Sequence, residues 1–532
     1  MNLLNKIKAS GILRKDYLFV LLFGVMACFY FRPILKKGPL NAHLWRQTDC
    51  LSMTHFYAEG TPFLTPEMHA QLADKNTSGV SVGEFPILYY IVGNVWKLFG
   101  ESYLTYRLFY LFILFAGLFS FYKSLRIVFG DFFLALVLSA LLFTSPVYAV
   151  YGISFLTDAP AFSFVLVALF FLVKYTQANG RKWLLLSLSF FALAGLIKVS
   201  SLMAFFFLFF ILFIETLSVK SLKTKKLFRG DIYEWLGFSS VLLVIFSWYY
   251  YAESYNAVHQ FKYTFNNIYP LWDMEQAKVE PLFYDISIFT SYVFFSRPIL
   301  VLLFLIGIVN LFLWKKIPPF AYLANLLIII GSVIYFVLWA PLLGIHDYYY
   351  AALLILFVGI FMPFVWFVKS NYPSFFQGYY LKVFLGIFLL YNFAYCFSVV
   401  RLKTFAEDGK FPIVGSEKFV ALMKWTNYNA RANWGRFDLI KPYLEQIGVK
   451  KEDKIISLPD DSFNVTLYLT GHKGWTNITP YQTSGEIEHL VQKGAKYLLI
   501  DDPELLKQDY LLPFLSNKVG SFMGIEIYQL AE

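Results

Sequence analysis

Three cysteines in 532 residues, Cys28, Cys50 and Cys396, are too few and too far apart to form a disulfide framework or a cysteine zinc site. They leave the redox compartment unread. Charge is scarce too: 15% of residues are Asp, Glu, Lys or Arg, against about 25% in ordinary soluble domains. No P-loop, no GxGxxG fingerprint and no internal repeat can be found. No signal-peptide cleavage pattern follows the first apolar run, which is expected to stay as an anchor.

What is present is apolar and aromatic. Hydrophobic residues make up 58% of the chain, with 60 Phe and 38 Tyr. Apolar runs long enough to cross a bilayer recur throughout, which predicts a polytopic helical membrane protein. Spans are expected at 17–35, 102–122, 131–149, 159–175, 182–198, 200–218, 233–251, 297–314, 319–340, 348–368 and 379–400, about eleven in all. An odd number puts the termini on opposite sides. The loops that face the cytoplasm when the N-terminus is inside hold 18 Lys or Arg, including the basic run 219–231, against about 11 on the other side. The positive-inside bias therefore predicts an inner N-terminus and an outer C-terminus, although Arg32, Lys36 and Lys37 just past the first span run against it.

The formal net charge of +10 is no sign of nucleic acid. Residues 401–532 contain 16 basic and 17 acidic residues, so the excess belongs to the membrane part, where topology accounts for it. The expected organisation is a membrane domain over 1–400, with a long first outer loop at 36–101, and a small outer α/β domain over 401–532. In that tail 453–458, 496–501 and 521–530 read as strands, and 437–448 and 486–494 as helices. Residues 85–99, "FPILYYIVGNVWKLF", are apolar but short. They read as a helix in the outer interface, a level that suits Trp96 and Lys97.

With this topology, ionisable residues from distant segments gather at the outer face. Trp45, Arg46, Gln47, Asp49 and His55 crowd into "HLWRQTDCLSMTHFYAEG" after the first span. Glu84 lies later in the same loop, Asp158 in "SFLTDAPAF", Lys198 in "AGLIKVSSL", and His346, Asp347 and Tyr348 in "GIHDYYYAALL". Ionisable groups at membrane depth are costly and usually face a cavity or a partner. Each has a plain structural alternative. Asp158 before Ala-Pro suits a helix N-cap, Lys198 could snorkel, His346 could cap a helix, and Glu84 could simply start one. Asp49 is hardest to dismiss, because it falls inside a predicted helix.

Taken together, "WRQTD", "GEFPILYY", "LTDAPAF", "GLIKVSS" and "HDYYYAALL" resemble the GT-C superfamily of integral-membrane glycosyltransferases. The resemblance covers about residues 10–400 and is nearest the bacterial branch related to protein O-mannosyltransferases and lipid A aminoarabinose transferases. It implies a polyprenyl-phosphate-linked sugar as donor, an acceptor hydroxyl on protein, lipid A or another envelope glycan, and inversion at the outer face of a bacterial inner membrane. Asp49 is then the general base and Asp158 the second catalytic carboxylate. Arg46, Lys198, His346 and Tyr348 bind the donor phosphate and sugar. Glu84, Gln47 and His55 bind substrate. At Glu84 the sequence departs from many relatives, which carry a basic residue or histidine before the "PP" or "FP" turn, so its implied role is choice of sugar or acceptor. A divalent cation varies across the superfamily. Asp49, Glu84, Asp158 and His346 could bind one, but no close spacing such as HxxxH demands it, and none is expected to be required. Two other readings stand beside this one: a transporter or flippase, which should show repeats and midplane polar groups, and a non-catalytic envelope-assembly partner, whose outer acids should be scattered.

Overall fold

The computed structural model describes residues 13–39, 43–178, 180–217, 226–262, 267–405, 413 and 416–530. Lys6, Lys8 and residues 219–225 of the basic run lie outside the described residues. The chain is a multi-pass membrane protein of packed helices with a small C-terminal sheet. Among the described residues, seven helices are long and apolar enough to cross a membrane, or eight if the pair Gln276–Phe294 and Arg297–Phe312, bent by 102°, is one span. The other expected spans, the first, third and fifth, fall on the shorter helices Leu13–Phe31, Phe132–Phe143 and Arg181–Ile197.

Local chemistry sets the helix ends. Ser102, Asp131 and Asp231 each accept a backbone N–H from the first turn, at 3.4, 2.8 and 3.0 Å, and so open the helices that follow them. At one end of the bundle Asp16 pairs with Lys123 and Arg126, both at 2.7 Å, joining the first two long helices. At the other end the buried Arg107 guanidinium donates to the carbonyls of Gly38 (2.9 Å) and Ile153 (2.5 Å), tying three chain segments together.

The first long loop builds two helices, Leu44–Glu59 and Ile87–Phe99, packed on each other. Gly93 permits this approach: a Cβ there would lie 2.6 Å from the Tyr57 Cβ. The short apolar helix is thus found where it was expected, but Trp96 turns inward. It is 2% exposed and its indole N–H donates to the Ser102 carbonyl, while Leu98 and Phe99 are exposed instead. An amphipathic helix that pairs with a second helix on its loop buries the tryptophan that a lone interfacial helix would leave at the surface.

The C-terminal part carries five strands, β1 (Lys454–Leu458), β2 (Gly474–Thr476), β3 (Ala495–Ile500), β4 (Lys518–Phe522) and β5 (Ile525–Gln529), in spatial order β2-β1-β3-β5-β4. The segment 521–530, expected as one strand, folds back as a hairpin. Met523 (φ 51°) and Gly524 (φ 93°) supply the two left-handed residues of a tight turn. The expected helices at 437–448 and 486–494 are Lys441–Gln446 and Ser484–Gln492. The last long helix, Tyr379–Phe405, runs past the expected boundary at 400.

Strand alternation gives the sheet two apolar faces. Ile456, Leu458, Leu498 and Ile500 form a local core with Leu490 of the Ser484–Gln492 helix. Ile455, Leu499 and Ile527 share a core with Leu51, Tyr57 and Tyr89 of the first loop. That loop also docks on the open edge of β2. Gln71 N–H donates to the Gly474 carbonyl (2.8 Å), and Gly474 N–H to that of His69 (3.0 Å). A Cβ on Gly474 would lie 1.8 Å from the Ile455 carbonyl oxygen, so only glycine lets the strands and the loop meet there.

Candidate functional site

The Leu44–Glu59 helix is buried on nearly all sides, wedged between the helical bundle and the sheet. It carries Arg46 into the protein. The Arg46 guanidinium meets Glu84 at 2.8 Å, and the Lys198 ammonium, at the end of the Arg181–Ile197 helix, meets the other oxygen of Glu84 at 2.5 Å. Lys198 also lies 3.4 Å from Asp158, in the first turn of Asp158–Ala178. Thr157 (2.7 Å) and Tyr89 (3.3 Å) donate their hydroxyls to Glu84. Two cations and two carboxylates from four distant segments therefore share one buried spot, with the Tyr349 ring 5.3 Å from the Lys198 ammonium. Burial pushes the Glu84 carboxyl up, but Arg46 and Lys198 outweigh that and hold it well below the usual range.

Charge is not evenly satisfied in this cluster. One oxygen of Asp158 is buried with no hydrogen-bond partner among the described residues, and so is Nδ1 of His346. Buried polar atoms are normally paired, because an orphan costs about 1–3 kcal/mol. An orphaned carboxylate oxygen beside the Lys198 ammonium can accept a hydrogen bond from a hydroxyl group. His346 stacks with Tyr348 (ring centroids 5.3 Å apart), and Tyr348 packs on His43 and Tyr349.

Asp49 sits one helical turn beyond Arg46 and is 3% exposed. Burial raises its carboxyl above the usual range. The Arg46 charge works against that rise, and the Asp460 charge adds to it. No direct contact joins it to Asp158 or Lys198 among the described residues. Its carboxyl connects to the cluster through Arg46 and, on the other side, feels the C-terminal sheet. Asn464 stands next to it there, donating to the Thr48 carbonyl (3.3 Å) and accepting from Ala70 N–H (3.2 Å).

The expected residues thus divide. Arg46, Glu84, Asp158 and Lys198 come together, Asp49 flanks them, and Tyr348 and His346 form the adjoining aromatic wall. Gln47 is buried on the same helix. His55 lies elsewhere, about two and a half turns beyond Arg46 at 3.6 residues per turn. It pairs with Glu101 and, at 3.4 Å, with Glu59, and stacks on His69. Among the described residues no three His, Cys, Asp or Glu side chains converge as a metal-binding group. Glu84 and Asp158 instead share Lys198. A second buried cluster forms around Asp347, named from the sequence without these partners: it accepts from Lys403 and Tyr151 and meets His43 at 2.8 Å.

Residues 84–251, which include Glu84, Asp158 and Lys198, match the family described as dolichyl-phosphate-mannose-protein mannosyltransferase. In overall fold the chain is similar to ArnT from Cupriavidus metallidurans. The apo structure gives a TM-score of 0.54 at 14% identity, covering 96% of this chain and 97% of that one. The structure of the same protein bound to undecaprenyl phosphate gives 0.51 at 13% identity, covering 98% of each. No curated protein matches the sequence. The family match over residues 84–251 and the fold shared with ArnT together indicate a multi-pass membrane glycosyltransferase with a GT-C type of fold.

Proposed function

We propose that this enzyme moves a sugar from a polyprenyl-phosphate-linked donor to an acceptor hydroxyl on a glycan, lipid or protein. The reaction takes place at the non-cytoplasmic face of a bacterial cytoplasmic membrane, with the N-terminus inside. The observation that carries the reading is the convergence of Arg46 and Lys198 on Glu84 beside Asp158. A phosphate monoester leaving group gathers negative charge as its bond to the anomeric carbon breaks, and fixed cations in a water-poor site stabilise that charge most where it develops. ArnT, whose fold this chain shares, has been crystallised with undecaprenyl phosphate, which supports a lipid phosphate as the ligand here.

The proposed steps are these. The acceptor oxygen attacks the anomeric carbon and loses its proton to Asp49. The bond to the phosphate oxygen breaks, and the electron pair leaves on the lipid phosphate facing Arg46 and Lys198. Inversion requires acceptor and leaving group on opposite faces of the sugar ring. Asp49, one turn from Arg46 and turned toward the C-terminal sheet, supports a base on the acceptor side with the cations on the donor side. The raised affinity of Asp49 for protons suits a base working near neutral pH. The free oxygen of Asp158 is suited to a donor-sugar hydroxyl or to the positive charge of an oxocarbenium-like transition state. Glu84 keeps the two cations in place before the donor arrives.

The test is transfer itself. Protein in lipid nanodiscs is given a panel of radiolabelled polyprenyl-phosphate sugars, and envelope glycans, lipids and glycoproteins are compared by mass spectrometry with and without the chain. One sugar adduct that disappears with the chain, and that the purified protein rebuilds from one lipid donor, is expected. Unchanged products together with no use of any lipid-linked sugar would overturn the reading.

A further inference from the structure

Away from the charge cluster, a cleft of about 330 Å³ opens where the first long loop, the segment after the Ile232–Val258 helix and the C-terminal sheet unit meet. Leu72 and Asn76 of the first loop, Lys262 of the segment after that helix, and Trp475, Tyr481 and His489 of the C-terminal unit contribute to its walls. Trp475 is 2% exposed, and its indole N–H is buried with no hydrogen-bond partner among the described residues. Tryptophan N–H groups usually find a partner when buried, so this donor stands ready for an acceptor atom from outside the chain.

We propose that this cleft is a subsite for an oligosaccharide, the sugar chain that presents the acceptor hydroxyl. The inference rests on the transferase reading and names its acceptor class. The volume lies at the lower end of small-molecule sites, enough for one or two sugar rings. Thr479 and Asn76 bring hydroxyl and amide groups and Tyr481 a half-buried ring, while the buried Thr476 hydroxyl donates to the Ser462 carbonyl. Lys262 and Glu486 bring one charge of each sign. That lining suits a neutral polyhydroxyl ligand. An acyl chain would strand the polar groups, and a strongly charged ligand would lack a matching field.

The cleft is also wired to the base. Trp475 follows Gly474, which hydrogen-bonds to the 69–71 segment of the first loop. His69 in turn bonds Ser52 through its backbone N–H (2.9 Å) and its ring (2.7 Å), and Ser52 lies on the same helix as Asp49, one turn on. A sugar held in the cleft would therefore register against the element that carries the base.

Two variants test this in the full-length protein in nanodiscs. Gly485→Trp fills the cleft, and a side chain there is tolerated because a Cβ on Gly485 meets nothing within 4 Å. Trp475→Phe keeps an aromatic ring, smaller than the indole, and removes the N–H. On an array of defined microbial oligosaccharides, the wild type is expected to retain a small set of related sugars. Trp475→Phe should weaken that retention about tenfold, the cost of one hydrogen bond at about 1.4 kcal/mol. Gly485→Trp should abolish it, while both variants bind polyprenyl phosphate as the wild type does. Equal oligosaccharide retention by wild type and Gly485→Trp overturns the subsite, as does an array on which peptides and no sugars are held. Either result leaves the transferase reading standing, because that reading is judged by donor use.

Discussion

Two buried charge clusters found among the described residues are built on opposite plans. In the Asp347 cluster every carboxylate oxygen is engaged: one by His43 and Tyr151, the other by Lys403. The partners come from the start of the first-loop helix, the segment before Asp158, and the end of the last long helix. The cluster acts as a clamp with its valences closed. The Arg46–Glu84–Lys198–Asp158 cluster has the same ingredients, yet leaves an Asp158 oxygen unpartnered. A fold holds a cluster of the first kind for rigidity. A cluster of the second kind keeps a cost that only a ligand removes.

Breaking the closed clamp should have the largest effect. Asp347→Leu leaves Lys403 buried without its partner and is expected to cost about 3–5 kcal/mol of stability, as removing one member of a buried pair does. Thermal unfolding in nanodiscs measures it. The double variant Asp347→Leu/Lys403→Met should recover most of the loss, and a double variant as unstable as the single one would show that the pair is not the clamp described.

The open cluster should behave the other way. Lys198→Met is expected to lower transfer by about 10²- to 10³-fold, the usual loss when one group that stabilises developing charge is removed. Its folding should suffer less, because Arg46 still pairs with Glu84. A Lys198→Met protein with normal kinetics but a collapsed melting temperature would place Lys198 with the structural pairs.

A pH profile sharpens the contrast further. Burial raises the Asp49 carboxyl, so its proton stays on to higher pH than on a free aspartate. A base must be ionised, so transfer should rise with pH through a range above that of ordinary carboxylates, and fall as pH drops through it. The stability of the closed clamp should not follow that curve. A rate already flat at mildly acidic pH would remove Asp49 from the base role.

The smallest effect is expected at Asn464→Ala, which cuts the bridge from the sheet unit to the Thr48 carbonyl and Ala70 N–H. The cost should be about 1–3 kcal/mol, seen in melting and in a modest loss of rate. No change in either would mean the sheet unit does not position the Asp49 helix.

Much of the open cluster was legible in the sequence because carboxylates and cations are conspicuous against apolar runs. Asp158 and Lys198 stand out in "LTDAPAF" and "GLIKVSS", and the cost of placing them there is itself the signal. The closed clamp was not legible. Lys403 falls where the last span grades into a mixed tail, and Tyr151 is one tyrosine among 38. The docking of the first loop on β2 is a non-local pairing of single residues, which leaves no periodicity to read. The hairpin at Met523-Gly524 lacks the Asn-Gly or Asp-Gly signal that marks such turns. His55 shares a helix with Asp49, but spacing along a helix also sets direction, and the residue joins Glu101 instead.

The central claim is tested most directly by Asp49→Asn, measured for two quantities in the same nanodiscs: retention of a labelled polyprenyl-phosphate sugar and its transfer to acceptor. The account predicts that the lipid is held with wild-type affinity while transfer falls by about 10²- to 10⁴-fold, the range for losing a general base. Transfer at the wild-type rate would contradict it.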